Sequence, residues 1–223
     1  MVIVQAMEAL GNEFILIDAI SQKIDSEEEL KLLKICAKEF SFDQLLFLEP
    51  PTQKHAHLKL KIYNVDGSLA ENCVNGIRAL ALYAFDESLV FSNTFILQIE
   101  DNLAQITRLQ ENEFAVKMSS FKFTKSSCAI ADSQELQFNF EGTDIKFYPV
   151  SVGNPHAVIF QDSLSDQIPE MGLTLQESNI YKNGVNVGFV EILNEKEINL
   201  RVVERGVGET LACGSGALSL IHI

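Results

Sequence analysis

Basic side chains are scarce in this sequence: 17 Lys and Arg stand against 31 Asp and Glu, a formal net charge of −14 at pH 7. Such a chain repels a phosphate backbone, and its few cations form no stripe, so no nucleic-acid partner is expected. Apolar runs long enough to span a bilayer are missing too, and no membrane partner is expected. The opening Met-Val-Ile-Val-Gln-Ala-Met has neither the basic stretch nor the long apolar stretch of a secretory signal, which makes the cytoplasm the expected location. Cysteines are few and far apart, at positions 36, 73, 128 and 213, without a Cys-x-x-Cys pair or a histidine cluster at ligand spacing. That pattern excludes a disulfide scaffold and a metal site and leaves free thiols in a reducing compartment.

What is there is a 223-residue chain, 47% apolar, long enough for one large domain or two smaller ones. Its focus is the stretch from Tyr63 to Arg78. Alternating Leu58, Leu60 and Ile62 predict a strand, Asp66-Gly67 a turn, and the small and apolar run Ile77 to Ala84 a helix. Cys73 stands at the mouth of that helix, where unpaired N–H groups and the positive end of the helix dipole favour thiolate over thiol. A lone cysteine is as readily a small buried hydrophobe, so the chemical reading depends on a partner.

Ahead of this stretch, Val2 and Val4 and then Phe14 to Asp18 predict two strands broken at Gly11-Asn12. Asp25 to Glu39 predicts an amphipathic helix with Leu30, Leu33 and Ala37 on its apolar stripe and Cys36 in the core. Leu45 to Leu48 predicts a strand ended by Pro50-Pro51. After the helix, Thr94 to Glu100, Leu103 to Leu109 and Glu113 to Met118, separated by two-residue turn signals, predict an antiparallel meander.

The second half repeats the first in order. Gly11-Asn-Glu-Phe-Ile-Leu-Ile17 is echoed 142 positions later by Gly153-Asn-Pro-His-Ala-Val-Ile159, and Gln44 by Asn186 in Gly184-Val-Asn-Val-Gly-Phe-Val190 at the same shift. The strand and turn from Leu58 to Gly67 are echoed by Ile198 to Gly206, and Cys73-Val-Asn-Gly76 by Cys213-Gly-Ser-Gly216, 140 positions later. The chain therefore reads as two similar halves, each running a strand toward a cysteine at a helix mouth. The second half breaks off after Cys213 without the counterpart of the meander, so the chain reads as C-terminally truncated, with a tail, Leu218 to Ile223, poorer in Ala and Gly than such a helix calls for.

Two matched halves facing one another would set Cys73 and Cys213 on opposite sides of a cleft. Inversion at a carbon bearing an acidic hydrogen needs this symmetry: one group removes the proton from one face, and a like group delivers a proton to the other. A thiol tuned toward neutrality at a helix end suits both roles. A substrate carboxylate between the two helix mouths would take hydrogen bonds from both sets of amides.

Gly11-Asn-Glu-Phe, Asn64-x-Asp-Gly-Ser-x-x-Glu-x-Cys-x-Asn-Gly-x-Arg78, Gly153-Asn-Pro-His-Ala-Val158, Gly184-Val-Asn186 and Glu204-Arg-Gly-x-Gly-Glu-Thr-x-Ala-Cys-Gly-Ser-Gly216 resemble the motifs of the diaminopimelate epimerases, from Met1 to about Ala217. Proline racemases and the phenazine-biosynthesis isomerases are similar in architecture but lack these spacings. The resemblance implies an α+β fold of two similar domains, residues 1–120 carrying Cys73 and 121–223 carrying Cys213. Each would be an antiparallel, barrel-like sheet wrapped on a central helix, with the site in the cleft between them. It implies a cofactor-independent epimerase of LL- and meso-diaminopimelate serving lysine and cell-wall synthesis. Its partner would be the small amino-acid substrate, with a homodimer left open.

Carried onto this sequence, the resemblance makes Cys73 and Cys213 the acid and base. Asn12, Asn64, Asn154, Asn186, Glu204 and Arg205 would hold the distal end of the substrate, with Gln44 beside them. The amides of Val74, Asn75, Gly214 and Ser215 would hold the reacting carboxylate. Arg grips a carboxylate with two parallel bonds, Glu accepts from an ammonium, and Asn does either. His156 is expected to be a packed turn residue, Glu71 and Glu209 to meet helix-mouth amides, and Cys128 to be structural. The family pattern has Gly where this chain has Val74, which adds bulk where a substrate backbone would approach. A racemase of another amino acid on the same scaffold and an inactive binding protein are the alternative readings.

Overall fold

The structure is a computed structural model that describes residues 2–118 and 122–220. The chain divides into two compact units, Met1–Ser119 and Ser120–Ile223. The domain boundary expected at residues 120 and 121, and the last three residues of the tail singled out above, lie outside the described residues. No described helix is long and apolar enough to cross a membrane.

In the first unit β1 (Gln5–Ala9), β2 (Asn12–Asp18), the short α1 (Ala19–Gln22), α2 (Glu29–Glu39), β3 (Gln44–Glu49), β4 (Leu58–Asn64), α3 (Val74–Asp86), β5 (Thr94–Ile99), β6 (Asn102–Gln110) and β7 (Glu113–Met118) follow one another. Their seven strands form one sheet in chain order. Side chains alternate across it. Phe14 and Leu16 of β2, Leu46 and Leu48 of β3, and Leu58, Leu60 and Ile62 of β4 meet Ile77, Leu80 and Ala84 of α3 in one core. The residues between them, Ile15, Ile17, Leu45, Phe47 and Tyr63, form a second core with Leu33 and Cys36 of α2. Burial on both faces is why Phe14 to Ile17 and Leu45 to Leu48 read as unbroken apolar runs. The helix α3 touches both β1 and β7, so the sheet wraps around it.

The inward face of α2 differs from the one expected. Glu29, Leu33 and Cys36 are buried, whereas Leu30 and Ala37 are exposed. The reason lies on β4, whose Lys59, Lys61 and Tyr63 alternate onto the α2 side. Lys61 Nζ donates to Glu29 Oε1 at 2.9 Å and to Glu49 Oε1 at 3.2 Å, Lys59 pairs with Glu49 Oε2 at 2.8 Å, and the Tyr63 hydroxyl donates to Glu29. Buried charges persist where partners satisfy them, and here the network turns the helix about its axis. Burial pushes the Glu29 carboxyl up, while the Lys59 and Lys61 bonds hold Glu49 down against the same burial.

The second unit holds β8 (Gln137–Phe140) and β9 (Thr143–Lys146) as a separate hairpin, then β10 (Tyr148–Ser151), β11 (Pro155–Phe160), α4 (Ile168–Glu177), β12 (Asn186–Asn194), β13 (Glu197–Glu204), β14 (Gly208–Thr210) and α5 (Gly214–Ser219). Strands β10 to β14 form a five-stranded sheet in chain order. Ala157, Ile159, Val187, Phe189 and Val203 pack on Ile168, Met171 and Leu175 of α4, while Val150, Val158 and Val190 look the other way, toward Leu218 and Leu220.

Each unit is thus of the expected α+β class. Pairing is mixed rather than wholly antiparallel: β2 with β3, β4 with β5 and β11 with β12 run parallel. Each of these pairs is joined through a helix, by α1 and α2, by α3 and by α4, and such a crossover is what a parallel pair requires. The repeat read from sequence is physical down to the register. Phe14 lies opposite Gln44 and His156 opposite Asn186, both at the 142-residue shift. An isolated bridge joins Tyr63 to Leu69, and its counterpart, Val203 with Glu209, belongs to the β13–β14 ladder.

Candidate active site

The helix mouths form as expected. Cys73 is the N-cap of α3 in extended geometry, and its Sγ accepts a hydrogen bond from Gly76 N at 3.4 Å. Cys213 caps α5 in the same way, its Sγ accepting from Gly216 N at 3.3 Å. A thiol here takes the place that Ser or Asp usually fills at an N-cap, so the group that closes the helix is a titratable one. Both thiols are half-buried, whereas Cys36 and Cys128 are buried and held up by that burial, as structural cysteines should be.

In the first unit the polar candidates gather where β2 begins, β3 begins and β4 ends. Gln44 and Asn64 face each other in register, and Gln44 Nε2 donates to Asn64 Oδ1 at 3.0 Å. Asn64 Nδ2 in turn reaches Ser68 Oγ at 3.0 Å. Asn12 Oδ1 accepts from the Asn75 side chain at 2.8 Å, which ties the β2 terminus to the first turn of α3. Asp43, not singled out from sequence, takes the other end of the same amide, with Asn12 Nδ2 at 3.4 Å and Glu13 N at 2.9 Å from its Oδ2. Val74 is the first residue of α3; its backbone is helical and its side chain 4% exposed, so the β-branch is accommodated by packing.

The second unit repeats this placement with different chemistry. Asn186 opens β12 and accepts from Arg205 N at 2.9 Å. The Arg205 side chain lies over Gly184, where an added Cβ would meet its Cδ at 2.5 Å, and donates to the Asn183 carbonyl. Gly184 has φ +73°, so both its backbone and the guanidinium stem above it call for glycine. Asn154 is buried and its Oδ1 lies 3.2 Å from His156 Nε2.

His156 is therefore not a turn residue. It sits on β11, 0% exposed, and burial, then the Arg205 charge, push its pKa down to about 3. The ring is neutral at any working pH, and because an amide oxygen only accepts, its proton sits on Nε2 and orients Asn154. Glu209 likewise departs from expectation: it meets no helix-mouth amide but grips Arg201 with both oxygens, at 2.5 and 2.7 Å.

Cys213 corrects the electrostatic expectation. Burial first, and then the charge of Glu204, push its thiol up to about 11, outweighing the hydrogen bonds from Ser215 and Gly216 that pull it down. At neutral pH it is a thiol, the form that gives a proton. Glu204, which the motif resemblance assigned to the distal end, is hydrogen-bonded to this thiol, and its Oε1 accepts from the Thr210 hydroxyl at 2.6 Å. Gly214 and Ser215 supply the first two positions of α5, and the Ser215 hydroxyl lies 3.4 Å from Cys213 Sγ.

The structure thus brings together Asn12 with Asn75, Gln44 with Asn64, Asn186 with Arg205, and Glu204 with Cys213. Sequence reasoning missed Asp43, the ring of His156 and Thr210. Thr210 stands in the quoted Glu-Thr-x-Ala-Cys run, and Asp43 precedes Gln44, but nothing in one sequence marks either as bonded to a candidate residue.

The family model described as "Diaminopimelate epimerase" matches residues 4–124 and 148–222. A diaminopimelate epimerase of Teredinibacter turnerae is 34% identical over 221 residues, spanning 96% of this chain and 80% of its own. One of Psychrobacter cryohalolentis is 35% identical over 225 residues, spanning 97% of this chain and 76% of its own. Among solved structures, a hydroxyproline epimerase from Agrobacterium vitis superposes with a TM-score of 0.70 at 11% identity, over 97% of this chain and 74% of that one. A probable proline racemase from Agrobacterium radiobacter gives 0.65 at 12% identity, over 94% and 72%. Those two show the shared fold. By family model and by relatives matched over nearly its whole length, the chain belongs to the diaminopimelate epimerase family.

Proposed function

We propose that this chain inverts the α-carbon of diaminopimelate, interconverting the LL and meso isomers without a cofactor, with Cys73 and Cys213 as the proton-transfer pair. The observation that carries the reading is the matched pair of thiol N-caps, each with its Sγ on the N–H three residues on, in two halves whose strands keep one register. The reading requires the two thiols to address opposite faces of one carbon.

In one direction a Cys73 thiolate takes the α-proton and the Cys213 thiol delivers a proton to the opposite face. In the other, Cys73 starts as the thiol: Glu204 accepts the Cys213 proton, the thiolate so formed takes the α-proton, and the Cys73 thiol delivers a proton to the opposite face. The amides at Val74, Asn75, Gly214 and Ser215 would meet the reacting carboxylate, where negative charge builds as the proton leaves. Asn12, Asn64, Asn154, Asn186 and Arg205 would grip the distal end, with Gln44 fixing Asn64. Glu204 serves the thiol beside it. We place the reaction in the cytoplasm, on the route to lysine and cell-wall precursors, with a homodimer as the assembly to look for.

The test is turnover of a panel of amino acids, followed by chiral chromatography. LL-diaminopimelate should yield the meso isomer, and proline and monocarboxylic amino acids should remain unchanged. Inversion of another amino acid with none of diaminopimelate would replace this reading with a racemase on the same scaffold.

A further inference from the structure

Strand β14 is three residues long, yet side chains on both sides of its ladder hold it to β13. On one side Glu209 grips Arg201, whose Nη1 also donates to the Ser165 carbonyl at 2.8 Å. On the other, Thr210 lies opposite Val202 and Gly208 opposite Glu204, so no side chain stands across from Glu204 and the Thr210 hydroxyl reaches its Oε1 at 2.6 Å. We propose that Thr210 is a positioning residue for the Cys213 half of the reaction: its hydroxyl keeps the Glu204 carboxylate turned toward the thiol. This inference rests on the epimerase reading.

The internal repeat supplies the comparison. The counterpart of Glu204 is Asn64, whose amide is held by Gln44 and Ser68, and the counterpart of Thr210 is Ala70, which has no hydroxyl. In that half the partner of β14 is a single bridge, Tyr63 to Leu69. Where an ionisable group replaces the amide, a hydroxyl and a clamped strand come with it. A hydroxyl next to a carboxylate donates, and a bond to the ionised form is the stronger one. It therefore favours the arrangement in which Cys213 carries the proton and Glu204 is ready to take it. When Cys213 acts as base, the Sγ–H proton passes to Glu204 and the sulfur lone pair then takes the substrate α-proton. In the opposite direction Sγ–H protonates the α-carbanion, and the thiolate left behind regains its proton from one that the Glu204 carboxylate takes up from water.

Among the described residues, the titratable and charged groups near Glu204 include the Cys213 thiol at the mouth of α5 and, next to it in the chain, Arg205, whose charge also reaches His156 on β11. The Arg201–Glu209 pair lies on the far side of the β13–β14 ladder. Thr210→Val removes the hydroxyl at constant shape, and Thr210→Ser keeps it.

In Thr210→Val, kcat should fall about tenfold, the size of a lost hydrogen bond to a charged group, with KM changed less than about twofold. The acid limb of the kcat/KM profile should move up by about one pH unit, because an unsupported carboxylate takes a proton more readily. Alkylation of Cys213 by iodoacetamide near neutral pH, followed by peptide mass spectrometry, should quicken about tenfold as Glu204 loosens its hold on the thiol. Thr210→Ser should restore all three.

An unmoved acid limb and alkylation rate in Thr210→Val, or a Ser variant as impaired as Val, would overturn the proposal. A wild-type chain that alkylates as expected but inverts no diaminopimelate would overturn the epimerase reading instead. Since alkylation needs no substrate, the two failures are distinguishable.

Discussion

Alanine at Cys213 should lower kcat for inversion at least about a thousandfold while leaving KM within a few-fold. A positioned acid–base group contributes roughly a hundred- to ten-thousandfold, and here the same sulfur must serve both directions of one reaction. The groups assigned to the distal end are untouched by the substitution, which is why binding should survive. The helix loses the acceptor for Gly216 N, a cap worth about 1 kcal/mol, so the variant should still fold. Steady-state kinetics with both isomers, beside thermal unfolding of the same preparation, separates lost chemistry from lost structure. Cys73→Ala should behave alike. A variant that retains a tenth of the rate would mean that its thiol is not in the chemical step.

The second large effect is expected from a residue outside the set assigned to the substrate. A Cβ built at Gly216 lies 2.9 Å from Val202 Cγ2 and 3.3 Å from both Cβ and Sγ of Cys213. Val202 is part of a packed strand and cannot yield as a flexible side chain would, so the thiol has to move. Misplacing a reacting group by even an ångström costs about a hundredfold, and Gly216→Ala should lose at least that in kcat for about 1–3 kcal/mol of stability. Gly76→Ala in the other half is the control. There the close atoms are Leu46 Cδ2 at 3.0 Å, the far end of a flexible chain, and Cys73 Sγ at 3.5 Å. It should be the milder variant, and kinetics with chemical denaturation of both will rank them.

The matching cap positions of the two thiols were legible in the sequence because a duplication leaves its trace as constant spacing. The positions 142 and 140 residues apart are those that share register and cap geometry in the two units. Strand cores were legible for the same reason that they are buried: Phe14 to Ile17 and Leu45 to Leu48 are apolar on both faces.

What escaped depends on long-range partners. The face of α2 was misread because Glu29 looks like a solvated first-turn acid until β4 brings Lys61 and Tyr63 beneath it. The state of Cys213 was misread because helix-mouth amides are visible in sequence, whereas burial and a carboxylate nine residues away in the chain are not. His156 looked like part of a Gly-Asn-Pro turn. Its isolation from solvent and its bond to Asn154 come from β11 lying between β10 and β12.

Cys213 as a high-pKa thiol beside a carboxylate also makes the two halves chemically unequal, although their backbones repeat. Asn64 in one half and Glu204 in the other occupy the same place at the end of a strand, and only the second can receive a proton. On the proposed mechanism, a reaction whose two directions call on like groups is thus given a pair with different neighbours.

Hydrogen exchange at the substrate α-carbon in heavy water tests the two-thiol claim most directly, with LL and meso isomers offered separately to the wild-type chain and to the Cys73→Ala and Cys213→Ala variants. The account predicts that the wild type inverts either isomer with uptake of solvent deuterium at the inverted carbon. Neither variant should invert at more than about a thousandth of the wild-type rate, and any residual exchange should be confined to the one isomer whose α-hydrogen faces the remaining thiol, opposite for the two variants. Inversion by either variant above about a thousandth of the wild-type rate, or exchange of both isomers by one of them, would contradict it.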